Sequence, residues 1–264
     1  MRNVETEYIG TSKTFHGAVP MIMGTRLEML MVGCCEEDAR MVWDWLCIEG
    51  FHLDSILDRF NPESELSRLN ASPDAVSDSS SLVSIVRSAS RYRELTDGYF
   101  DIALGDSDMI AIDKDDRICL GGAHLDFGGI AKGYLLRLLS DRMKPSGVES
   151  AFVDFGGSSI MTVGHHPFGD CWKVGVRNPF GPGILSEVEL RDSSMSTSGN
   201  TSLYGSHIIN PFSGEPVDER KVVNVVCPDP LDAEVLSTAL MTAPEDMTEE
   251  IASRFSGASY RIFK

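Results

Sequence analysis

The stretch AFVDFGGSSIMTVGHHPFGDCWKVGVRNPFGPGILSEVEL, residues 151–190, decides the fold. Its runs Ala151–Phe155, Trp172–Val176 and Ile184–Leu190 read as strands separated by Gly, Pro and Asn turns, and Val222–Cys227 reads the same way further on. Along the whole chain, strands and helices alternate without a strict βα rhythm. That predicts an α+β fold of mixed, mainly antiparallel sheets with packed helices.

Upstream, TRLEMLMV (25–32) reads as a strand stopped by Gly33. Glu36 to Phe60 reads as a helix with Met41, Trp45, Ile48, Leu53, Ile56 and Leu57 on one face and Gly50 as a point of breaking or bending. A short helical turn covers 64–70, and a helix starting near Asp78 and ending at Gly98 buries Leu82, Ile85, Val86, Ala89 and Tyr92. Residues 107–123 read as a hairpin, and 128–143 as a helix with Leu135, Leu138 and Leu139 inward. Pro230 opens a helix carrying Ala233, Leu236, Ala239 and Leu240, followed by a helix over 247–255 and a strand over 259–263. Residues 1–20 lack periodicity and read as an arm or edge strand; 21–264 read as one domain with room for two interleaved subdomains.

The chain has 264 residues with 23 Lys and Arg against 40 Asp and Glu, a net charge of −17. This balance disfavours nucleic-acid partners, whose phosphates need clustered cations. A phosphate ligand would need its charge met locally, by a metal ion or backbone N–H groups. Acids follow Met1 where a signal peptide would be apolar, and no run approaches the ~20 apolar residues of a membrane span. The sequence as given is expected to be soluble and cytoplasmic, without a membrane span. The six cysteines show no CxxC pair and read as buried, reduced thiols.

Three clusters carry candidate chemistry. In LDFGGIAKG (125–133) the glycines open a helix whose free N–H groups favour an anion, or serve only tight packing; Lys132-Gly133 does not fit a Walker loop. Glu234, Ser237 and Thr238 share one helical face and present oxygens of the kind Mg²⁺ prefers, although such a face is also an ordinary solvated surface. The hydroxyl-rich STSGN (196–200) precedes His207 in HIINPFSG (207–214), where an imidazole would be a general base or merely a turn residue. A fourth stretch, Thr96 to Asp101, sets two carboxylates and two aromatics around a helix end.

Taken in order, DGYFDIALG (97–105), LDFGGIAKG, VDFGGSSIMTVG (153–164), STSGN, HIINPFSG and AEVLSTAL (233–240) resemble the FAD:protein FMN transferases, the ApbE-like flavin transferases. MGT (23–25) and ESELSRLN (63–70) fit the same pattern. The resemblance implies an ApbE-like, T-fold-like architecture and a Mg²⁺-dependent transfer of FMN from FAD to a Ser or Thr of an acceptor flavoprotein, releasing AMP. It implies FAD contacts at Met23, Phe60, Tyr99, Phe100, Asp101, Asp126, Lys132 and Ile209. It implies metal ligands at the Gly129 carbonyl, Glu234, Ser237 and Thr238, and a catalytic base at His207. Two positions depart from the family pattern: Glu234 stands where Asp is usual, and Asn210 where Asp precedes the proline. FAD hydrolysis to FMN and AMP, and flavin binding without catalysis, are the alternative expectations.

Overall fold

A computed structural model describes residues 3–200, 208–218 and 220–264. Three strands come first: β1 (Glu5–Ile9), β2 (Thr14–Ile22) and β3 (Thr25–Val32). A long insertion follows, with α1 (Glu36–Leu57), α2 (Glu65–Asn70), β4 (Val76–Ser77), α3 (Ser80–Leu95), β5 (Ala111–Ile112), β6 (Ile118–Cys119) and α4 (Ala131–Met143). Then come β7 (Ser150–Phe155), β8 (Ser159–Val163), β9 (Trp172–Arg177), β10 (Ile184–Leu190), β11 (Ser194–Gly199) and β12 (Val222–Cys227). The chain closes with α5 (Pro230–Thr242), α6 (Thr248–Ser253) and β13 (Ser259–Phe263).

Eight strands form one sheet in the order β1-β2-β3-β7-β8-β11-β12-β13. Every neighbouring pair is antiparallel, as the absence of a βα rhythm predicts. One face buries Leu27, Met29 and Met31 of β3 with Val153 and Val223 against α1, α4 and α5. The opposite face meets the β9–β10 hairpin, whose Trp172, Val176, Val188 and Leu190 enclose a smaller core with Ile160 and Met195. Strand alternation sends successive residues to these two cores.

Residues 3–20 form β1 at the sheet edge and most of β2, which pairs on both sides. In β2, Gly17 leaves room for the Trp43 indole; a methyl there would come within 2.7 Å of the ring. Trp43 comes from α1. Its buried face is Val42, Trp43, Leu46, Cys47, Gly50, Leu53 and Ile56, while Met41 and Ile48 of the expected stripe are exposed. Gly50 does not break the helix; it lets α1 approach Ile22 and Leu135. Ser79 rather than Asp78 caps α3, its hydroxyl accepting from the Leu82 N–H. All five residues expected to face inward from α3 are buried.

Candidate active site

A cavity of about 510 Å³ lies where the ends of β3, β7, β8 and β11 meet the start of α4 and the middle of α5. The loop after α3, residues 99–104, closes one side, and Val176, Arg177 and Pro179 at the hairpin end close another. The β7–β8 turn reaches the cavity through Gly156 and Gly157, both with positive φ, a conformation open to glycine at no steric cost.

α4 and α5 pack antiparallel and set the polar wall. Gly129 faces Thr238, Gly133 faces Glu234, and Arg137 faces Asp229 and Asp232. A methyl at Gly129 would sit 3.2 Å from both Cγ2 and Oγ1 of Thr238, and one at Gly133 would sit 2.5 Å from Glu234 Cβ. At the far end, Arg137 Nε donates to Asp229 Oδ1 at 2.9 Å, and the Tyr92 hydroxyl donates to Asp232 at 2.5 Å. Asp229 also caps α5 by accepting the N–H groups of Leu231 and Asp232. Burial holds the Asp232 carboxyl above its usual range, and burial with the Asp232 contact pushes the Tyr92 hydroxyl up.

Glu234 is not on a solvated face. It is 3% exposed and Ser237 is fully buried, because α5 packs against both β11 and β12 as well as α4. A buried carboxylate must be paired and hydrogen-bonded to be tolerated. Its Oε2 accepts from the hydroxyls of Ser159 (2.5 Å) and Ser196 (2.9 Å), and its Oε1 pairs with the Lys132 ammonium. Ser196 and Ser198 of β11 also lie 3.0 and 2.8 Å from the Ser237 hydroxyl, and Ser198 is 3.5 Å from that of Thr238. Ser159 and Ser196 therefore belong to the site, although the sequence motifs assign neither a role. The signal was present in VDFGGSSIMTVG and STSGN, where hydroxyls occupy strand positions that alternation turns inward.

Of the residues expected at the site, Tyr99, Phe100, Asp101, Asp126, Gly129, Lys132, Ile209, Glu234 and Thr238 line the cavity. Ser237 lies one layer behind the wall. Met23 does not line it; its N–H donates to Asp54, while Gly24 and Thr25 beside it do line it. Phe60 is 83% exposed with the Arg59 guanidinium over its ring, and Arg59, not Phe60, reaches the cavity. His207 lies outside the described residues; Ile208 and Ile209 after it line the cavity.

Two of the lining acids are already engaged. Asp101 accepts from Arg93 Nε, from the N–H groups of Ala103 and Gly105, and from the Ser107 hydroxyl, which ties the 101–107 loop together. Asp126 pairs with Arg59 and accepts the Gly128 N–H at 2.8 Å. Asn210 Oδ1 accepts from the Phe212 N–H, and its amide nitrogen donates to the Thr242 carbonyl, a contact an ionised aspartate cannot make. Among the described residues, all cysteines are free, no group of three or more His, Cys, Asp or Glu is placed to hold a metal, and no helix is long and apolar enough to cross a membrane.

The ApbE family model matches residues 23–111 and 106–262. The chain belongs to the ApbE family. An FAD:protein FMN transferase of Klebsiella pneumoniae is 32% identical over 129 residues, 45% of this chain and 39% of that protein. One of Vibrio cholerae is 26% identical over 236 residues, 73% of this chain and 70% of that protein. The apo crystal structure of the Pseudomonas stutzeri flavinyl transferase ApbE superposes with a TM-score of 0.76 at 25% identity, covering 97% of this chain and 90% of that one. The ApbE-like mixed architecture is thus the fold of this chain as well.

Proposed function

We propose that this ApbE-family chain transfers FMN from FAD to a Ser or Thr hydroxyl of an acceptor protein, with Mg²⁺ as its metal. The observation that carries the reading is the buried Glu234, braced by Ser159 and Ser196 and opening with Thr238, Gly129 and Lys132 into a cavity large enough for a flavin. The donor set fits the metal. One carboxylate, the Thr238 hydroxyl and the Gly129 carbonyl are hard oxygen donors, and Mg²⁺ completes such partial sets with water and substrate phosphate. When bound, the metal would stabilise charge developing on the pyrophosphate oxygens.

In the transfer, the acceptor hydroxyl oxygen bonds to the FMN phosphorus and the bond from that phosphorus to the AMP oxygen breaks. AMP leaves with the bridging oxygen, and His207 takes the hydroxyl proton. Lys132 and the uncapped first turn of α4, which begins after Ile130 without a side-chain cap, supply positive potential to the phosphates. Tyr99 and Phe100 offer aromatic faces to the isoalloxazine ring.

Incubation of the purified protein with FAD, Mg²⁺ and a candidate acceptor, followed by intact mass, tests the reading. An FMN-sized gain on the acceptor is expected. Free FMN and AMP without adduct would instead establish a hydrolase, and FAD bound but unchanged a flavin-binding protein.

A further inference from the structure

Resting on that reading, we propose that Lys132 is a resident counter-cation at Glu234, displaced by the metal and captured by the FAD pyrophosphate, so that metal and FAD bind cooperatively. Glu234 has two acceptor oxygens and they are unequally available. Oε2 is held by two hydroxyls, from Ser159 on β8 and Ser196 on β11, both on buried residues of the sheet. Oε1 is the oxygen left for a cation, and the Lys132 ammonium holds it. A divalent ion approaching this carboxylate therefore meets a positive charge already in place, and the two repel at contact distance.

Among the described residues that line the cavity, the other two carboxylates are already engaged. Asp126 is paired with Arg59, and Asp101 is filled by Arg93, two backbone N–H groups and Ser107. The Lys132 side chain is only 18% exposed, so an unpaired ammonium there is poorly solvated. An anion entering the cavity removes that penalty. The metal alone thus binds against a cost, and the metal with a pyrophosphate does not. By linkage, FAD is aided by the metal to the same degree.

Titration calorimetry with Mg²⁺, on protein without and with FAD, tests the proposal by binding rather than turnover. In Lys132→Met the FAD-free protein is expected to bind Mg²⁺ about 10-fold more tightly than wild type, and the enhancement of metal binding by FAD is expected to shrink by a similar factor. Lys132→Gln gives the same readout should the methionine variant not fold. Lys132→Arg, which keeps the charge, is expected to stay near the wild-type metal affinity. An FAD-free Mg²⁺ affinity in both neutral variants equal to or below wild type overturns the counter-cation role. Wild-type protein that binds neither Mg²⁺ nor FAD refutes the flavin-transfer reading, and this proposal with it.

Discussion

Gly133→Ala probes the packing that positions Glu234. The added methyl would lie 2.5 Å from Glu234 Cβ and 3.0 Å from the Pro230 carbonyl oxygen. Carbon atoms rest about 3.5–4.0 Å apart, so α4 and α5 must separate by roughly 1 Å. Overpacking of this kind costs about 1–3 kcal/mol. Alanine in a helix interior returns about 0.8–1.0 kcal/mol relative to glycine. The net loss is about 0–2 kcal/mol, a fall of up to ~8 °C in Tm at ~2–4 °C per kcal/mol. Activity is the more sensitive readout. A site that must be held within ~0.5 Å is displaced by twice that, and such a shift can cost ~10²-fold in rate. The assay is the initial rate of FMN-adduct formation by intact mass, with thermal melts alongside. Gly10→Ala, where a methyl meets nothing within 4 Å, serves as control. Wild-type transfer rates in Gly133→Ala would refute the claim that the helix spacing sets the carboxylate.

Glu234→Gln is expected to lower transfer by ~10²-fold or more by removing the charged oxygen; an unchanged Mg²⁺ titration curve would exclude it as a metal ligand. Ser159→Ala and Ser196→Ala each remove a donor to a buried carboxylate, worth about 1.5–3 kcal/mol, and are expected to raise the Mg²⁺ concentration for half-maximal rate while the Gly10→Ala control does not. His207→Ala is expected to abolish transfer while FAD still quenches intrinsic fluorescence on binding; full transfer removes the imidazole from the reaction. Burial pushes the Cys47 and Cys227 thiols up to about 12, above their value of 9.0 when solvated. The unfolded chain then releases these protons first, so stability present below pH 9.0 falls as pH rises toward 12, by about 1.4 kcal/mol per pH unit per thiol. Denaturant melts from pH 8 to pH 11 should show this slope flattened in Cys47→Ala/Cys227→Ala; an equal slope in the variant assigns it to other groups.

Elements whose burial follows their own pattern were legible from sequence. β3, β10, β12 and β13 match the expected bounds residue for residue, since each carries apolar or β-branched residues between turn signals. β2 was not legible because TFHGAVPMI gains its place from partners on both sides and from a tryptophan 26 residues after Gly17. β11 was hidden for a different reason. SMSTSG has no hydrophobic alternation, yet Ser194 and Ser196 are buried, Ser196 because it answers a carboxylate distant in sequence. Whether Glu234 faced water was likewise undecidable from its helix alone, since periodicity reports a face and not what covers it. The family motifs found most of the cavity wall. They could not show that Arg59, rather than Phe60, reaches it, or that Arg177 joins from the hairpin on the sheet's other side.

The antiparallel pairing of α4 with α5 works like a vernier. Gly129 with Thr238, Gly133 with Glu234, and Arg137 with Asp229 and Asp232 are three marks on one scale, one turn apart. Inserting or deleting a single residue between two marks of either helix would rotate those beyond it by about 100° relative to those before it, so that the three could not align at once. Length variation among descendants of this chain should therefore collect in the connections, such as 165–170, and spare these two helices.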